Sequence, residues 1–264
     1  MAACAATLKR VTLELAGNDA CVVCEDADLE VAVPGVAAGA FFNAGQVCVA
    51  SKRVYVHEGI YEEFLRRLVE EVRGKYTVVE DAKMPSVFGP VDNKVQYEVV
   101  KGIVDDCKAR GYEIVTGGGV GVGKGGRGYW IEPTIVRKPD EESLLVQEEQ
   151  FGLFFFPVFW WRMVADKTEI GPILPVLSWS DEDDVIRRSN LANAGLGASV
   201  YSKDLARAER IARRLEAGGV WINQFEKPNH AAFFGGIKDS GYGGEMGQQG
   251  LLSYVYTKSL HFTK

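Results

Sequence analysis

No cluster of lysines and arginines relieves the acidic balance of this chain: 36 acidic against 30 basic side chains leave a net charge of -6. A phosphate-backbone footprint has nothing to rest on, which argues against nucleic acid as a partner. Histidine is scarce, and His57, His230 and His261 stand far apart without ligand-type spacing, so no metal site is expected. Cysteine comes in an odd number, as Cys4, Cys21, Cys24, Cys48 and Cys107. That pattern does not make a disulfide framework and suits a reducing compartment. The Leu153–Trp161 run of large apolar residues falls well short of the roughly 20 residues a bilayer requires. MAACAATLKR at the start has neither the apolar core nor the cleavage context of a secretory signal. A cytoplasmic location is expected, with the mitochondrion as the alternative, and no membrane partner.

What is present is an alternation of two periodicities. YEEFLRRLVEEVRGK puts Phe64, Leu68 and Val72 on one helical face, and NKVQYEVVKGIVDDCKARG gives a second helix ending at Gly111. RVYVH, YEIVT, WIEPTIV, ILPVLSW, GASVYS and GGVWIN are short, rich in β-branched or aromatic residues, and bounded by Gly, Pro or Asp, as strands are. Lys203–Glu216 reads as another helix whose arginines, Arg207, Arg210, Arg213 and Arg214, form a solvated face. The pattern predicts an α/β fold with a mostly parallel sheet covered by helices. There are no internal repeats.

Two motifs invite functional readings that their context opposes. Gly121-x-Gly123-x-x-Gly126 fits a nucleotide-loop pattern, but its glycines run into the strand YWIEP, not into a helix. With no helix N-terminus for a pyrophosphate, a hairpin-like connection is the expected structure. Cys21-Val-Val-Cys24 fits the redox spacing, yet it reads as a short buried strand ahead of the helix-opening EDADLE.

Two segments stand apart from packing logic. In VTLELAGND, Glu14 interrupts an apolar strand-like run. A carboxylate there is either hydrogen-bonded structure or a general base whose pKa burial has raised. In FFNAGQVCVASKR, Cys48 follows a Gly-Gln turn after an amphipathic helix. Taken alone, a free cysteine is more often an inert core thiol. Backbone N–H groups exposed by such a turn would stabilise both a thiolate and an oxyanion.

VTLELAGND, FFNAGQVCVASKR, EEQFG and FFGGIKDSGYGGE stand in the order and approximate spacing of the C-terminal part of the NAD-dependent aldehyde dehydrogenases. From about Leu8 onward the chain resembles that family, most of all its fungal acetaldehyde-type members. The resemblance implies oxidation of an aldehyde to a carboxylic acid through a cysteine thiohemiacetal and thioester. Cys48 would be the nucleophile and Glu14 the general base. Glu149 would meet the nicotinamide ribose and Phe151 would lie beside that ribose and the nicotinamide, with NAD, or NADP in its place, as cofactor. Gln46 and the Gly17 turn would support the entrance, and Asn223 and Phe234 would fall in segments lining the substrate tunnel. LLSYVYTKSLHFTK resembles the C-terminal strand these enzymes use across subunits, so a homo-oligomer or association with a full-length homologue is implied.

Departures from the family pattern are also visible. A Rossmann-like cofactor domain is largely missing: residues 1–16 resemble its remnant, 17–236 the catalytic domain and 237–264 the C-terminal return with its oligomerisation strand. Weak NAD binding and an incomplete, impaired enzyme are therefore expected, the alternative being a non-catalytic fragment that binds full-length homologues. Ala16 replaces a glycine, which implies strain if that position needs positive φ, and Pro34 should kink the helix leading to Cys48. Removing Leu153 to Gly171 restores EEQFGPILPVLSW without a seam, so residues 153–170 read as an anomalous insertion of the kind a translated intron leaves.

Overall fold

The computed structural model describes residues 1–79, 86–123, 128–147, 171–225, 227 and 229–263. Their strands, in chain order, are β1 (Leu13–Glu14), β2 (Asp19–Val23), β3 (Ser51–His57), β4 (Glu113–Thr116), β5 (Thr134–Arg137), β6 (Ile173–Trp179), β7 (Ala194–Gly195), β8 (Gly197–Tyr201), β9 (Gly219–Ile222), β10 (Ile237–Lys238) and β11 (Gly241–Tyr242). Among the described residues a seven-stranded sheet takes the order β4-β5-β6-β3-β2-β8-β9. Every neighbouring pair is parallel except β4 and β5.

The pleat sends alternate residues of β2 into different layers. Cys21 and Val23 face the Leu29–Phe41 and Tyr61–Lys75 helices, where Val33, Val36, Phe41, Phe64 and Leu68 close the core. Ala20 and Val22 face the Glu182–Asn190 and Leu205–Ala212 helices through Val185, Ile186, Ala208 and Ile211. A third cluster packs the Lys94–Ala109 helix on Ile131, Val136 and Ile173. A sheet covered on both faces explains why these strands read as nearly continuous apolar runs.

The predicted helix at 61–75 and strand at 173–179 fall where their periodicity places them. Gly111 follows its helix with φ 71°, the left-handed stop that glycine takes at little cost. The glycine-rich stretch is hairpin-like: β4 pairs antiparallel with β5, and Val120 bridges Ile131.

Three expectations need correction. The helix before Cys48, Leu29–Phe41 with Pro34 inside it, is not amphipathic but buried around much of its circumference. Arg207 does not join a solvated face: it pairs with Glu25 and Glu182 and stacks over Trp179, holding the helix against the sheet. The VTLEL run yields only the two-residue β1, because its partner β11 is equally short. At the C-terminal end a short helix, Gly247–Leu252, precedes residues 255–263, which join no ladder among the described residues; the strand expected of this segment is one formed across subunits.

Candidate active site

The nucleophile candidate is placed by a left-handed turn. After Phe41 the chain passes through Asn43, Ala44 and Gly45 with φ of 52°, 57° and 69°. Glycine is required at the last of these for a second reason: a Cβ on Gly45 would lie 2.5 Å from the Gly171 carbonyl oxygen and 2.8 Å from that of Ala40. Gln46 braces the turn. Its Nε2 donates to the carbonyls of Asn43 (2.9 Å) and Pro90 (3.1 Å), and its Oε1 accepts from the Asp92 amide at 2.8 Å. The buried Lys52 Nζ donates to the Gly45 carbonyl at 2.8 Å, closing the turn from the β3 side. Cys48 sits half-buried between this turn and the start of β3.

Glu14 occupies β1, opposite Gly241 of β11, and the next amide, Leu15, donates to the Ser240 carbonyl at 2.8 Å. The FFGGIKDSGYGGE motif thus folds as a clamp: β11 holds β1, and β10 holds β7. Glu14 is exposed. Among the described residues the burial expected around its carboxylate is absent: the two-residue β1 pairs only with β11 and lies outside the main sheet. Immediately beyond, Ala16 has φ 68°, the strained conformation its methyl was expected to meet. Gly17 then packs so tightly that a Cβ would lie 3.2 Å from the Cys48 carbonyl oxygen and 2.8 Å from the Leu196 Cβ, and would collide with the Asp19 carboxylate. The turn after Glu14 therefore abuts the backbone of Cys48 itself.

Glu149, Phe151 and the 153–170 stretch lie outside the described residues. Asn223 has φ 54° and exchanges hydrogen bonds with the backbone of Ser202, and the Phe234 backbone pairs with that of Glu245. The remaining buried thiols are poor nucleophiles: burial pushes Cys21 and Cys24 up to about 12 and Cys107 up to about 11. The described residues contain no group of three or more potential metal ligands and no helix long and apolar enough to cross a membrane. Sequence reading gave no role to Asn18, Lys52 and Arg53, buried residues at the ends of the two motifs. The signal was there, in two adjacent cations opening a strand that is otherwise apolar.

The turn that follows Glu14 is thus packed on the backbone of Cys48, a half-buried thiol ahead of the central parallel strand β3. The aldehyde dehydrogenase family model matches residues 1–260, and the chain belongs to that family. It is 36% identical over 260 residues to an aldehyde dehydrogenase of Davidiella tassiana, covering 98% of this chain and 48% of that protein. It is 37% identical to the cytosolic aldehyde dehydrogenase 2 of Macroscelides proboscideus, covering 96% of each. Betaine aldehyde dehydrogenase from Staphylococcus aureus, solved with NAD+, superposes with a TM-score of 0.79 at 31% identity over 95% of this chain and 46% of that one. The chain spans about half the length of most curated relatives it matches.

For a dinucleotide pyrophosphate, the glycine-rich stretch does not supply the site. The glycines at 117–123 lead into a hairpin and present no helix N-terminus to a pyrophosphate.

Proposed function

We propose that this chain carries the thiol half of an aldehyde-oxidising centre, with Cys48 as nucleophile, Glu14 as general base, a small aldehyde as substrate and a carboxylic acid as product. The family's hydride acceptor is NAD, and the residues that would meet it here are Glu149 and Phe151. The chain's own groups act on either side of hydride removal. The Cys48 thiolate adds to a carbonyl carbon, and a thioester on Cys48 is cleaved by water that Glu14 deprotonates. An exposed carboxylate suits that second role, since the attacking water is delivered from solvent. The observation that carries the reading is the packing of Gly17, three positions beyond Glu14, against the Cys48 carbonyl.

An activated ester reaches the thioester without a hydride acceptor, so it tests these steps directly. Mixing the chain with 4-nitrophenyl acetate should give a burst of nitrophenol and an acetyl group on Cys48. Cys48→Ser should abolish the burst. Glu14→Gln should keep it but slow turnover by about 10²-fold or more. Equal turnover in the parent chain and Cys48→Ser overturns the proposal.

A second reading, a non-catalytic fragment that binds a full-length homologue, is favoured by one observation: Tyr254, Tyr256, Leu260 and Phe262 stand exposed at the C-terminal end. Co-purification with a full-length relative, without a Cys48-dependent burst, would select it.

A further inference from the structure

We infer that Arg53 is a positioning residue for the proposed reaction, holding the turn after Glu14 in register with the strand that follows Cys48; the inference rests on the assignment of those two residues as base and nucleophile. Arg53 is 4% exposed, near the start of β3. Its Nε and Nη2 both donate to the Asn18 carbonyl, at 3.1 and 2.8 Å. Nη2 also donates to the Ser189 carbonyl at 3.0 Å, and Nη1 to the Arg188 carbonyl at 3.2 Å. Nη1 lies 3.4 Å from the Tyr55 hydroxyl.

A buried cation is costly unless its donors are met, and packing alone would place an apolar residue here. The donors in these bonds meet backbone carbonyls on two separate segments. A rigid planar fork satisfied in this way fixes position, because a small shift of Asn18 breaks two bonds together. Asn18 passes the constraint on: its Nδ2 donates to the Val146 carbonyl at 3.2 Å, in the Leu144–Gln147 helix just before Glu149. One guanidinium thereby connects the segment after Cys48, the turn after Glu14 and, through Asn18, the approach to Glu149. Lysine keeps the charge but offers a single nitrogen, so Arg53→Lys removes the fork selectively.

The test is stopped-flow kinetics with 4-nitrophenyl acetate on the parent chain, Arg53→Lys, Glu14→Gln and the double variant, alongside hydrogen exchange. Burst amplitude counts competent sites, burst rate reports acylation, and the steady rate reports deacylation, the step that needs Glu14 placed against Cys48. Arg53→Lys should slow deacylation per site at least about 10-fold while acylation changes less than about three-fold. Adding it to Glu14→Gln should slow deacylation little further, since residues acting through one another are not additive. Amide exchange at residues 15–18 should rise without a matching rise in β6 or β8. Overturning results are a loss of amplitude or thermal stability with both rates per site unchanged, an equal fall in both rates, or unaltered exchange at 15–18. A parent chain with no Cys48-dependent burst overturns the reaction assignment as well, whereas a normal burst insensitive to Arg53→Lys overturns the positioning role alone.

Discussion

Ala16 and Gly17 sit side by side in the turn after Glu14 and make opposite demands. With φ 68° Ala16 holds a left-handed conformation that costs an L-residue about 1–2 kcal/mol. Glycine removes that strain but adds freedom to the unfolded chain, worth about 0.4–1 kcal/mol. Ala16→Gly should therefore stabilise the fold by up to about 1 kcal/mol, seen as a higher urea midpoint with an unchanged slope. A lower midpoint would show that the methyl makes a packing contact outweighing the backbone strain. Gly17 has no such latitude, because any Cβ would meet the Asp19 carboxylate, Leu196 and the Cys48 carbonyl together. The pair illustrates why one glycine of the turn has been replaced here while the other is still glycine.

At the scale of elements, legibility followed the length of the periodic signal. The Tyr61–Lys75 helix and β6 were readable because each presents several residues of one period to one layer. CVVC was readable as a strand, and β2 indeed lies between β3 and β8 with both thiols buried. Cys48 and Glu14 were found by motif, but the Asn18–Arg53 tie was not, since it joins a carbonyl in one element to a side chain in another and no sequence period encodes it. The strand expected of the C-terminal alternation is one formed across subunits, so within one chain that segment has no ladder to complete among the described residues. Burial in β2 has a measurable consequence. Cys21 is pushed from 9.0 up to about 12 by burial, against the opposing hydrogen bond from Ser199. Above pH 9 the unfolded thiol releases its proton while the folded one keeps it, so stability is intact below pH 9 and falls as pH rises toward 12. The slope from this thiol is about 1.4 kcal/mol per pH unit. Urea unfolding at pH 8.5 and 10.5 should show a smaller loss in Cys21→Ala than in the parent, and parallel losses would remove the thiol as the cause.

For the molecule as a whole, the two ends of the chain are tied to each other. β1 pairs with β11, and Arg10 Nη1 donates to the carbonyls of Ser253 (2.8 Å) and Val255 (2.6 Å) while its guanidinium lies 4.3 Å from the Tyr256 ring centroid. The backbone of the last segment is thus held at its start, yet its side chains face outward: Tyr256 is 84% exposed, Leu260 71% and Phe262 87%. Apolar groups displayed on an anchored backbone gain from burial at about 1.5–3 kcal/mol each, without the full ordering cost of a free tail. Self-association through this segment should then be visible as a sedimentation coefficient that rises with concentration. Leu260→Asp with Phe262→Asp removes at least about 3 kcal/mol of that gain, which weakens association by about 100-fold or more and leaves the monomer dominant. Because the double variant leaves the Arg10 ties and the β1–β11 pairing in place, the nitrophenol burst per chain should be unchanged. A parent chain that stays monomeric at every concentration, or a double variant that associates as well as the parent, would assign this apolar edge no role in assembly.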